Sequence, residues 1–134
     1  MSDGKILTAA AIRAWANGSV YMAALVTVAV DRLTTLHIPS TALAAGLHGA
    51  TPVRASAIEE RLDDPIFVVD DLDRDTATAV ARVATRWHDD GLCLANAHVI
   101  LAATSLYTGW PVVTTAAETA WGRYLPDTPI EWLP

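Results

Sequence analysis

Ile66-Phe67-Val68-Val69 decides the fold class. The stretch is short, unbroken in its apolarity and rich in β-branched residues, which suits a strand buried on both faces of a parallel sheet. Asp63-Asp64-Pro65 turns the chain into it, and Asp73 opens a helix beyond it with Ala77, Val80, Ala81 and Ala84 on one face. Working outward, the same alternation recurs. Gly4-Lys5-Ile6-Leu7 reads as a buried strand before a helix from Ala9 to Ala16, and Asn17-Gly18 supplies a C-cap and turn. Ser19 is an N-cap for a helix running to Leu33. Leu36-His37-Ile38 is a second strand closed by Pro39, with Ser40 capping a helix that runs through Ala45 to Gly49. Thr51-Pro52 starts a helix ending near Leu62, with Pro at its first position. A helix from about Leu94 to Tyr107 precedes the strand Pro111-Val112-Val113-Thr114. A helical piece from Ala116 to Arg123 and a short strand at Ile130-Glu131-Trp132 complete the chain. Strands alternating with helices predict an α/β domain, a parallel sheet of four or five strands covered on both faces.

The 134 residues make one domain, with 52% hydrophobic and 18% charged residues, which argues against disorder. The longest uncharged apolar run, Val20 to Val30, is too short to span a bilayer. The start has no secretory pattern and Cys93 is the single cysteine, so a reducing cytoplasm is the expected location. A lone cysteine in an apolar setting reads as core filling. Eight arginines and one lysine are dispersed within a net charge of −6, which weighs against nucleic-acid binding. That anionic balance suits a partner rich in basic residues. The helix from Val20 to Leu33 has almost no polar face before Asp31, so both its sides need cover. A homodimer interface through Val20, Tyr21, Ala24, Leu25 and Val28 provides it.

Four short motifs carry a family resemblance. They are Leu7-Thr8-Ala9-Ala10, then Ile38-Pro39 leading to Ala44-Ala45, then Leu94-Ala95-Asn96-Ala97-His98-Val99, and last Gly109-Trp110-Pro111-Val112-Val113-Thr114-Thr115-Ala116. In order and spacing they resemble PIN domains, the metal-dependent ribonuclease fold of VapC-like toxins, over Lys5 to Trp132. The resemblance implies a three-layer α/β/α fold with acidic residues at four positions. Here those positions read Thr8, Ala45, Asn96 and Ala116; a one-residue slip replaces Ala45 by Ala44, alanine either way. Magnesium needs hard, largely anionic oxygen ligands, so the departure implies a pseudoenzyme with no cofactor that acts through protein interaction. A toxin–antitoxin-derived or regulatory assembly is the setting it suggests.

Two alternatives stay open. A divergent ribonuclease would use the relocated acids Asp90 and Glu118 with Asn96 around one Mg²⁺ or Mn²⁺. A non-catalytic RNA- or nucleotide-binding pocket would use Thr8, Asn96 and Thr114 as hydrogen-bonding groups. Solvent-facing charge is the simpler role for Asp89, Asp90, Glu118, Asp70 and Asp71. His98 reads as a partly buried packing and hydrogen-bonding residue, and His37, His48 and His88 lack metal-site spacing. No phosphate-binding or dinucleotide fingerprint is present.

Overall fold

A computed structural model describes residues 4–115 and 120–134. Strands β1 (Gly4–Leu7), β2 (Thr35–Pro39), β3 (Phe67–Asp70), β4 (Val112–Thr115) and β5 (Ile130–Leu133) form one sheet. All neighbours are parallel, in the order β3-β2-β1-β4-β5. The described helices are α1 (Ala9–Ala16), α2 (Val20–Arg32), α3 (Ser40–Leu47), α4 (Pro52–Arg61), α5 (Arg74–Arg86), α6 (Leu94–Leu101) and α7 (Trp121–Tyr124). Side-chain caps start three of them where expected, whereas Ser40, expected as a cap, is the first residue of α3, whose N-cap position is Pro39 with no side-chain cap. The hydroxyl of Ser19 accepts from the Met22 amide, Thr51 accepts from Arg54, and the Asp73 carboxylate accepts from Thr76 at 2.8 Å. Asn17 closes α1, and Gly18 follows at φ 85°, a conformation that side chains resist.

Alternation along the strands builds two cores, one on each face of the sheet. Leu7, Leu36, Ile38 and Val113 meet Ile12 of α1 and Met22 and Val26 of α2. Ile6 and Val112 point the other way, toward Ala95 and Val99 of α6. Helices on both faces of a parallel sheet make the three-layer α/β/α arrangement. Between the layers α3 lies directly on α1: a Cβ at Gly46 would stand 2.5 Å from the Ile12 Cβ and 2.9 Å from the Ala9 carbonyl oxygen. Only a residue without a side chain fits that contact.

Several expectations need correction. The strand Phe67–Asp70 is an edge strand, with Val68 and Val69 exposed, so its apolar run does not mark burial on both faces. Its buried end is Ile66-Phe67, where Phe67 stacks on Trp15 at 5.6 Å. Cys93 is exposed at the N-cap of α6, not core filling, because the buried face of that helix begins at Ala95. The helix expected to reach Tyr107 is α-helical only to Leu101 and continues as a π-helical segment, Ala102–Leu106. Of the helix expected from Ala116 to Arg123, the described portion is Trp121–Tyr124; Ala116 and Glu118 lie outside the described residues. Helix α2 buries Met22, Val26 and Ala29, whereas Val20, Tyr21, Ala24 and Val28 are exposed and Leu25 is half-buried. No described helix is long and apolar enough to cross a membrane.

Candidate functional site at the carboxyl edge of the sheet

Thr8 follows β1 and is wholly buried. Its extended backbone, φ −82° and ψ 167°, makes it the N-cap of α1. The hydroxyl accepts from the Ala11 amide at 3.2 Å and donates to the Val113 carbonyl at 2.9 Å. One side chain therefore caps a helix and ties β1 to β4. The same carbonyl also accepts from the Thr8 amide at 3.2 Å, so this corner is knitted shut. Thr114, the next residue on β4, is also wholly buried, and its hydroxyl has no partner among the described residues.

Ala45 of α3 is half-buried against the apolar core on the α6 face. Its carbonyl accepts from the Arg13 guanidinium at 2.9 Å, a second tie between α1 and α3. Asn96 is half-buried in the first turn of α6. Thus Thr8, just past the end of β1, and Thr114 on the neighbouring β4 stand at the same edge, Ala45 and Asn96 lie on helices that pack on each other, and Ala116 is not described. Asp90 is engaged elsewhere. It sits in the 3-10 turn His88–Asp90, where its carboxylate lies 3.4 Å from Arg123, whose guanidinium covers the Trp87 ring at 5.6 Å.

These donors do not suit Mg²⁺. A hard cation needs carboxylate oxygens free to turn toward it, but the Thr8 hydroxyl is committed on both sides and Ala45 offers a methyl group. Among the described residues, no group of three or more His, Cys, Asp or Glu side chains is arranged to hold a metal ion.

The structure instead assembles a polar cluster that sequence spacing does not reveal. His98 of α6, wholly buried, places Nδ1 2.8 Å from the Thr41 hydroxyl and Nε2 3.3 Å from Oδ2 of Asp70. An ionised carboxylate only accepts, so neutral His98 carries its proton on Nε2 and its Nδ1 accepts from Thr41. His37 of β2 is also wholly buried, with Nε2 3.9 Å from the same Asp70 oxygen and its ring 4.1 Å from that of Tyr107. Neither ring nitrogen of His37 has a hydrogen-bond partner among the described residues. Asp70 is therefore not simply a solvated strand-end charge. The sheet register explains the grouping: Val68 lies beside His37 and Asp70 beside Pro39, so the carboxylate stands on the His37 face one pleat further along. Burial lowers the His37 pKa to about 4; Asp70 raises it against that trend and His98 lowers it further. Burial also lowers that of His98, against the hydrogen bond and charge of Asp70.

No protein-family model matches the chain, and no curated protein matches it. Among solved structures, it is similar to the crystal structure of VapBC2 from Rickettsia felis bound to a DNA fragment from its promoter. The superposition has a TM-score of 0.59 at 14% identity, over 98% of this chain and 99% of that one. Sequence identity this low speaks for the fold alone. With five parallel strands between helical layers, the chain has a PIN-like α/β/α fold.

Proposed function

We propose that this chain is a catalytically degenerate PIN-like domain that acts through protein association, as a homodimer within a toxin–antitoxin-derived or regulatory assembly. The observation that carries the reading is Thr8. Where the family's first acidic side chain is expected, this chain has a hydroxyl consumed by a helix cap and an interstrand bond. The corner serves the fold, and Thr8, Ala45 and Asn96 offer no carboxylate to a cation there. The likeness to VapBC2 supports the fold and makes a toxin–antitoxin setting reasonable. Cytoplasmic residence follows from that setting, and no cofactor is required.

The association face is a groove of about 390 Å³ between α2 and β5. Tyr21, Ala24, Leu25 and Val28 line one side, and Trp132 and Leu133 line the other. Tyr21, Ala24 and Val28 follow helical spacing along an uncharged stripe, and the small Ala24 lets a second helix approach closely. A twofold pairing of α2 with its copy presents this stripe to itself. An antitoxin-like protein is the alternative occupant.

Two measurements test the proposal. Light scattering after size exclusion should give twice the 14.3 kDa chain mass at micromolar concentration; a strict monomer removes the homodimer. Incubation of structured and single-stranded RNA with Mg²⁺ or Mn²⁺ should leave it intact. Divalent-dependent cleavage lost in Glu118→Ala would instead establish the relocated-acid ribonuclease.

A further inference from the structure

We propose that His37 is an acid trigger: protonating its ring releases the segment formed by the end of α6 and residues 102–110 from the β2–β3 edge of the sheet. The device is independent of the proposed function. His37 occupies the middle of a strand in a position otherwise suited to Val or Ile, and it is wholly buried. The groups facing it are Asp70 from β3, His98 from α6 and the Tyr107 ring beyond the π segment, while β1 sets the uncharged Ile6 in register beside it.

The two histidines respond differently to a proton. His98 can accept one without losing contacts: its Nδ1 proton then points at Thr41, whose hydroxyl rotates to accept, and Nε2 keeps Asp70. His37 has no such arrangement. A charged ring there needs acceptors for two N–H groups; among the described residues neither nitrogen has one, and Oδ2 of Asp70 is 3.9 Å away and already bonded to His98. Water must reach it. The cover on this side is Tyr107, which follows a π-helical stretch and lies tilted against Trp110 with ring centroids 4.5 Å apart. A π segment interrupts the regular α-helical ladder and marks where α6 can yield.

The sign follows from linkage. The folded ring protonates near 4 and the opened ring near its ordinary 6.5, so opening gains population as pH falls from about 6.5 and levels off below 4. Between pH 7 and pH 5 the opening constant should rise about 20-fold.

Hydrogen exchange by mass spectrometry on the full chain, corrected for intrinsic exchange, reads this directly. Protection at residues 102–110 should fall about 20-fold over that range, while β2, paired on both sides, and α1 and α2 keep theirs. In His37→Leu, and in His37→Gln should the first variant misfold, the fall at 102–110 should disappear. Equal pH dependence in these variants, or a uniform loss of protection over the whole chain, overturns the proposal. An NMR titration of the wild-type ring that finds His37 protonated near pH 6.5 with protection intact does the same.

Discussion

Thr8→Asp introduces the acidic residue type that the resemblance to PIN domains would place at this position, and it should damage this protein. A carboxylate at residue 8 can still accept from the Ala11 amide, as a good N-cap does. It cannot donate to Val113, so an anionic oxygen would face a carbonyl oxygen where the hydroxyl now bridges 2.9 Å. The position is wholly buried, and no described salt bridge reaches it. Burial of an unpaired carboxylate raises its pKa by about 3 units, and each unit corresponds to about 1.4 kcal/mol, so the loss at pH 7 is about 4 kcal/mol. For a chain of this length that lowers Tm by about 12–20 °C. The folded pKa lies above the unfolded one, so the penalty vanishes below the unfolded value, near 4, and grows as pH rises toward the folded value. Urea or thermal melts at pH 4.5 and 7.5, each without divalent ions and with millimolar Mg²⁺, would measure it. Thr8→Val separates the polar from the steric contribution and should cost about 1–3 kcal/mol at both pH values, since it orphans the buried Ala11 amide. Wild-type stability in Thr8→Asp at pH 7.5, or its rescue by Mg²⁺, would refute the reasoning and reinstate a cation-binding cup.

In the unaltered protein, millimolar Mg²⁺ should move Tm no more than a matched monovalent salt; a rise of several degrees specific to Mg²⁺ contradicts the proposed degeneracy. Gly46→Ala should destabilise by about 1–3 kcal/mol in denaturant melts, despite alanine's better helix propensity, because the new methyl meets Ile12 and the Ala9 carbonyl at a rigid helix crossing. Val28→Asp places a charge in the exposed stripe of α2. It should shift light-scattering mass toward the monomer while leaving the circular dichroism and Tm of the monomeric fold nearly unchanged.

Local signals carried most of the fold. Ser19, Thr51 and Asp73 cap helices because their oxygens reach amides within the next turn, and short apolar runs become parallel strands because they must be covered on both sides. Even so, Ile66-Phe67-Val68-Val69 did not disclose that its second half lies open at the edge. Apolarity records that a strand has packing partners, and strand order decides how many.

That Thr8, Ala45, Asn96 and Ala116 carry no carboxylate was legible from residue identity alone, since an uncharged side chain stays uncharged in any fold. Sequence also determined the alternation of strands and helices, the uncharged stripe of α2 and the absence of a disulfide. Only tertiary structure decided that Thr8 is locked between Ala11 and Val113, that Gly46 admits α1 to α3, and that His37, Asp70 and His98 share one buried cluster. The physical reason is range. Caps and periodicity act within a few residues of the chain, whereas the register of β2 on β3 and the seat of α6 bring together side chains that no local pattern connects.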